Sequence, residues 1–387
     1  PRRYPDYRCT RILQSGLTPA AEFEQAGVNR IRAVEASPIT DSTLALQQRP
    51  VGEISGKQFD VLIVGAGPAG TTAAIDLSRR GFSIALLDRS LFPREKICGD
   101  CLLGEAVRYL ELLGVAERIR RVAHRVSSMS VYSANGTEFE FPTDILTIRR
   151  AILDTILAQA AVESGALFCH GTVIGFEQDD NGPLRVSLNC ASGTVSAHIL
   201  LVATGAGSLP LSLSETEQYV GPTALAMRCY VRSNADIASG ILSYDRSVIP
   251  GFAWIFPLGD GLFNIGCGTT ARRIGFRVHS LRKTFERFVT HFQPAMELFR
   301  HGERESPLRG FPLQTTLARH PIAHGGRVLT IGEAAGTTYR FTGEGISPAI
   351  KSALIAADIV TQTLISNDVR LLEDYAHRLA SELTPRK

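Results

Sequence analysis

Phe59-Asp60-Val61-Leu62-Ile63-Val64-Gly65-Ala66-Gly67-Pro68-Ala69-Gly70 is the stretch that decides the fold. Its first half is an apolar run of strand length ended by glycine, the pattern of a parallel strand buried on both faces. Its second half fits G-x-G-x-x-G and opens a segment, Ala69 to Arg80, with Ala73, Ala74 and Leu77 at helical spacing. Gly81 stops that helix, and Ser83 to Leu87 is a second buried strand ending at Asp88. The whole is one β-α-β unit. In such a unit Gly65 makes the tight turn, Gly67 lets a pyrophosphate approach the backbone, and Gly70 permits close helix–strand packing. Asp88 stands near the expected offset of about 20 residues for an acid that holds a ribose. The stretch therefore reads as an adenine-dinucleotide site.

A second stretch, near the C-terminus, selects between NAD and FAD. Val328-Leu329-Thr330-Ile331-Gly332-Glu333-Ala334-Ala335-Gly336 is a buried strand ending in a carboxylate and small residues. Thr342-Gly343-Glu344-Gly345-Ile346 then leads into a long helix, Ser347–Ile365. A carboxylate at a strand end can accept hydrogen bonds from a polyol chain, and glycines before a helix present N–H groups to an anion or carbonyl. FAD has a ribityl chain to match; NAD has none.

Between these ends the chain predicts a helix over Leu102–Arg120, a hairpin about Asn135-Gly136, and a helix from Arg150 to Ser164. Short strands follow, and residues 224–270 are strand-rich. The fold class is α/β: a discontinuous Rossmann-like FAD-binding domain with an inserted antiparallel-sheet substrate domain. We place an extension or linker at 1–57 and the first part of the FAD-binding domain at 58–125. A substrate-domain hairpin occupies 126–146, the second FAD-binding part 147–215, the substrate domain 216–325, and the third part with its C-terminal helix 326–387.

With 387 residues, the chain is long enough for two ordinary cores. Lys+Arg 41 against Asp+Glu 38 gives a net charge of +3, too balanced for bulk attraction to nucleic acid or an anionic membrane. No apolar run approaches the about 20 residues needed to span a bilayer. The seven cysteines are odd in number and scattered, which fits reduced thiols in a cytoplasmic protein. Asp6, Glu22, Glu24 and Glu35 argue against a transit peptide. No set of metal ligands is read from the sequence.

Several motifs, in order, resemble the FAD-dependent oxidoreductases of p-hydroxybenzoate-hydroxylase fold, and most of all the geranylgeranyl reductase family. They are Gly65–Gly70 with Asp88, Arg94-Glu95-Lys96-Ile97-Cys98-Gly99-Asp100, Phe252-Ala253-Trp254-Ile255-Phe256-Pro257 with Asn264-Ile265-Gly266, Gly332–Gly336, and Thr342–Ile346. The resemblance implies FAD held by Gly65, Gly67, Ala69, Gly70, Asp88 and Arg89. Arg94, Gly99, Arg150 and Glu333 would join them, with backbone at Val173 meeting adenine. Gly343, Gly345 and Ile346 would face the flavin. It also implies Cys98 beside the flavin. Phe252, Trp254 and Phe256 alternate and so share one strand face, which the resemblance makes a wall of the substrate cavity. Tyr339 and Arg340 are expected at that cavity; Arg340 stands where the family usually has proline, which points equally to an anionic substrate or product and to a surface salt bridge. Cys98, Trp254 and Arg340 are the residues expected to act in catalysis.

The resemblance implies an apolar or aromatic small-molecule substrate, reduced or dehydrogenated by hydride transfer at flavin N5. A monooxygenase or halogenase is the alternative, although Phe252 and Phe256 replace the Trp and Ile of the halogenase W-x-W-x-I-P segment. A third reading is a non-catalytic flavoprotein with a protein partner at residues 1–57. The reductant is not legible. Cys98 and Cys101 have the C-x-x-C spacing of a redox pair. A dithiol reductase, however, needs a second nicotinamide domain, and none is found between 160 and 270. The family's usual continuation after the last helix is not seen after Leu383, which weakens a long prenyl substrate.

Overall fold

The computed structural model describes residues 46–178, 182–190, 193–206, 222–270, 278–318, 321–323 and 326–383. Among these, the strands form two sheets, and residues of both line one cavity. The first sheet is built on the quoted β-α-β unit: β2 (Gln58–Val64), helix α1 (Pro68–Arg79) and β3 (Ile84–Asp88), with Val61–Val64 in parallel register with Ile84–Leu87. Its spatial order is β1 (Arg49–Pro50), β7 (Leu167–His170), β3, β2, β10 (Thr194–Val202), β18 (Val328–Thr330) and β17 (Ile322–Ala323). An antiparallel ribbon of β8 (Val173–Gln178) and β9 (Leu184–Leu188) extends from β10. Val61, Leu62 and Ile63 are fully buried because both faces of the sheet are covered. The ribbon and the segment Val51–Ile54 pack one face; α1, α4 (Arg150–Glu163), α7 (Ile346–Ser366) and α8 (Asp374–Leu383) pack the other.

The segment from 46 to 57 is not the linker expected at 1–57. Arg49–Pro50 pairs with Cys169–His170, and Val51 and Ile54 enter the apolar core because each buried aliphatic side chain contributes about 1.5–3 kcal/mol. Residues 1–45 lie outside the described residues. Ile322–Ala323 also pairs with β18 and so sits with the first sheet, not with the 216–325 segment. The helix expected over Leu102–Arg120 is two, α2 (Gly104–Leu112) and α3 (Ala116–Arg120), parted at Gly114 with φ 71°.

The second sheet has the order β15 (Gly302–Arg304), β11 (Ala224–Ser233), β14 (Leu262–Thr270), β13 (Gly251–Gly259), β12 (Gly240–Ser243), β5 (His124–Tyr132), β6 (Glu138–Thr147) and β4 (Cys101–Leu102). β16 (Arg309–Leu313) pairs with β11. β4 thus lies in the second sheet although it falls within 58–125. One face of this sheet carries Met227, Cys229, Val231, Ile255 and Ile265 and is sealed by α5 (Val278–His291) and α6 (Gln293–Arg300). Strand alternation turns the other face to the cavity.

Among the described residues, α7 is the one helix long and apolar enough to cross a membrane. Here it packs along α1, with Ile350, Ala353, Ala356, Ala357 and Val360 fully buried, and Arg80 of α1's end pairs with its Asp358 at 2.8 Å.

Candidate active site

The glycine turn shows three different reasons for three glycines. A Cβ on Gly65 would lie 2.4 Å from the Ala203 carbonyl oxygen, and its φ of 105° is one that L side chains rarely adopt. A Cβ on Gly70 would lie 1.8 Å from the Gly65 oxygen, so this glycine lets α1 press on β2. A Cβ on Gly67 would meet only the ends of Arg94 and Arg150, at 3.8 and 3.9 Å. The protein needs no glycine there; the room opens onto the cavity. The first turn of α1 has no side-chain cap, which leaves its N–H groups for an anion.

Asp88, at the end of β3, accepts hydrogen bonds from the N–H groups of Ala66 (3.0 Å) and Ser90 (2.9 Å). Arg94 bridges it at 3.3 Å to the fully buried Asp154, at 3.1 Å. Arg150 grips the same Asp154 with two hydrogen bonds of 2.8 Å. Asp88 and Asp154 thus balance the two guanidinium groups and fix their Nη2 ends beside the open space at Gly67. Glu333 and the start of α7, whose N-cap Gly345 has no side-chain cap, line the same cavity of about 830 Å³. These features fit FAD: room and unpaired donors for the pyrophosphate, an acid for each sugar chain, and glycines where the flavin edge would meet backbone.

The loop Cys98-Gly99-Asp100 is clamped by the second sheet. Asp100 is buried with φ 62°, and its carboxylate accepts from Tyr230 Oη (2.7 Å), Asn264 Nδ2 (2.8 Å) and the Arg150 N–H (3.3 Å). Asn264 Nδ2 also donates to the Cys98 carbonyl at 2.8 Å, while its Oδ1 accepts from Trp254 Nε1 at 2.9 Å. Burial raises the Asp100 carboxyl above its ordinary range, with Arg228, Tyr230 and Asn264 opposing. Burial likewise pushes the Cys98 thiol up, with Arg150 pulling against it. Cys101 is raised too, and both cysteines are free; the pair is not a disulfide.

Phe252, Trp254 and Phe256 face the cavity together, opposite Gly268, Gly266 and Asn264 on β14. The absence of side chains at Gly266 and Gly268 is what seats the rings: a Cβ on Gly266 would lie 2.3 Å from the Trp254 indole. Met129, Leu242, Phe311 and Leu313 extend this wall.

Of the expected site residues, Gly65, Gly67, Ala69, Asp88, Arg89, Arg94, Cys98, Gly99, Arg150, Phe252, Trp254, Phe256, Glu333, Gly343, Gly345 and Ile346 line the one cavity. Gly70 lies behind it in the α1–β2 contact. Three others do not reach it either. Val173 opens β8 and is buried in the core beneath the first sheet, its backbone in register with Leu188. Tyr339 points its hydroxyl at Glu105 (3.5 Å), and Arg340 is exposed, since the chain leaves the cavity after Thr338 and returns at Thr342. The sequence reading gave no role to Lys96, Arg149, Arg228 or Tyr230, all of which line the cavity. Lys96 lies inside the quoted R-x-K-x-C-G motif; Arg228 and Tyr230 alternate on β11, a signal that becomes legible only with the register to β14. Lys96 Nζ sits 3.1 Å from the Phe311 ring centre and 4.0 Å from Glu333. Burial draws its ammonium down to about 8 despite Glu333, with Arg150 and Arg94 adding to the push.

A family model described as an FAD binding domain matches residues 58–224. A menaquinone reductase of Mycolicibacterium smegmatis is 32% identical over 78% of this chain and 76% of its own length. The chain belongs to this family of FAD-dependent oxidoreductases, the geranylgeranyl reductase family. Digeranylgeranylglycerophospholipid reductase 2 of Methanopyrus kandleri is 26% identical over 84% of this chain and 83% of its own. Two solved structures, a geranylgeranyl bacteriochlorophyll reductase-like protein of Thermoplasma acidophilum and a flavin-dependent brominase, each match with TM-score 0.72, 20% identity and 84% of both chains. At that identity they share the fold alone. FAD is the cofactor of this oxidoreductase.

Proposed function

We propose that the chain transfers hydride between FAD and a carbon–carbon double bond of an apolar, isoprenoid-like substrate, in the direction of reduction. The observation that carries this reading is the aromatic wall of Phe252, Trp254 and Phe256, set on glycines and facing the same cavity as Cys98-Gly99. The named activities of the relatives, reductions of menaquinone and of a geranylgeranyl lipid, support it. Bound FAD supplies a hydride at N5. The protein's part is to hold and orient. Gly67, the α1 start, Arg94 and Arg150 would take the pyrophosphate, Asp88 and Glu333 the sugar hydroxyls, and the backbone at Gly345 would meet the flavin edge. The wall excludes water and lays the unsaturated segment against the ring. A cytoplasmic location accompanies the proposal, supported by free thiols at the six described cysteines.

The test is anaerobic. Photoreduced protein mixed with a prenylated quinone or prenyl lipid is expected to reoxidise with loss of one double bond by mass, and Trp254→Ala to slow this at least about 10-fold. Reoxidation by oxygen through a long-lived C4a adduct, with no reaction towards the prenyl compounds, would overturn it in favour of an oxygenase.

A further inference from the structure

The cavity has a second end, and it is built of arginine. Arg228 on β11 is 3% exposed yet lines the cavity; its Nη2 donates to Glu95 Oε2 at 3.0 Å and its Nε has no hydrogen-bond partner. Arg149 donates to the other oxygen of the same Glu95 at 3.0 Å, and its Nε is also without a partner. Both guanidinium groups lie over the Tyr230 ring, at 4.0 and 4.8 Å. Arg309 stands opposite Arg228 in the β11–β16 register, on the same sheet face, exposed and with no ion pair among the described residues. The half-exposed Glu95 thus takes two guanidinium groups, with Arg309 beside Arg228, while the other lining carboxylate, Glu305, is paired with Arg232. A buried arginine with an idle donor is costly unless something accepts from it. The FAD pyrophosphate would have a different pair, Arg94 and Arg150, whose ends lie beside Gly67.

We propose that Arg228, Arg149 and Arg309 form an anion subsite for the phosphate or carboxylate of an amphiphilic ligand whose remainder lies along the cavity. The proposal rests on the reading of this cavity as the place of the reaction. Two sources share the chemistry: an anionic headgroup on the apolar substrate, or the diphosphate of a reduced nicotinamide dinucleotide that delivers electrons. The arginine fork suits either, because it donates in parallel to two oxygens.

The probe is inorganic pyrophosphate, titrated calorimetrically into the full FAD-loaded chain. Saturable binding is expected, weakened about 3-fold in Arg309→Gln and about 10-fold or more in Arg228→Gln. Arg309 is exposed, so its variant, with Arg309→Glu beside it, decides the matter even where Arg228→Gln does not fold. No saturable binding, equal affinity in both Arg309 variants, or loss of bound FAD in step with pyrophosphate would overturn the subsite. Kinetics then separate the sources. In Arg309→Glu, a higher KM for a prenyl diphosphate relative to its alcohol assigns the subsite to the substrate; a higher KM for reduced nicotinamide dinucleotide assigns it to the electron donor. A rise in neither overturns the proposal. The titration needs no turnover, so failure of the reductase reading leaves it independently decided.

Discussion

The two sheets wall the same cavity by different means. The parallel sheet presents its strand ends: the glycine turn after β2, Asp88 after β3, Ala203 to Gly205 after β10, and Glu333 beyond β18. The antiparallel sheet presents a face, every second residue of β11, β13 and β16. A wall of strand ends is fixed by backbone shape within a few residues. A wall made from a face depends on register between strands far apart in the chain, and its rings and guanidinium groups are held by hydrogen bonds and charge. Substitutions should therefore act through space on one side and through lost partners on the other.

The largest expected effect is on the first wall. Gly70→Ala places a Cβ 1.8 Å from the Gly65 oxygen and should destabilise the chain by about 4 kcal/mol or more, read as a collapse of the urea midpoint. Gly67→Ala is the contrast: 3.8 Å of clearance should leave the FAD-free midpoint within about 0.5 kcal/mol. FAD affinity should fall by about 10-fold or more in a fluorescence titration. If both glycines behave alike, the division between packing and cofactor room is wrong. On the second wall, Asp100→Ala leaves the Tyr230 hydroxyl and Asn264 amide without their acceptor and puts alanine at φ 62°, for an expected loss of about 3 kcal/mol. Asp100→Asn, which tolerates that φ and keeps one acceptor, should lose less.

Lys96 joins the walls and makes a pH test. Its folded pKa, about 8, lies below its usual 10.5, so between these values the unfolded chain binds the extra proton. The burial cost is thus fully present below pH 8 and is relieved as pH rises through that window. FAD-free protein should gain up to about 3 kcal/mol over this range relative to its Lys96→Met variant, measured by urea unfolding at each pH. A parallel pH dependence in the variant would remove Lys96 as the cause. Smallest is Trp254→Phe, which keeps the ring on Gly266 but leaves Asn264 Oδ1 without its donor, for about 1–2 kcal/mol.

The same contrast explains what was legible in the sequence. Gly65–Gly70 with Asp88 could be read because turn, helix and acid lie within one short β-α-β unit. Phe252, Trp254 and Phe256 were legible as a face, since alternation is local, but the glycines that seat them lie on β14 and needed the pairing register. Arg228 and Arg149 escaped notice because their meeting at Glu95 joins three separate segments. Arg340 shows the opposite case: its place in a motif was clear, but the chain at 340–341 is exposed and carries it away from the cavity. The edge strand at Arg49 was missed because two residues carry no period, and only the partner strand β7 reveals it.

The chain crosses between the sheets repeatedly: β4 leaves the first for the second, α4 returns, β11 departs again and β17 comes back. No single cut frees either half, and a swing of one sheet against the other would have to bend several crossings at once. Both walls of the cavity therefore draw on several separate segments of the chain, and neither belongs to one continuous stretch.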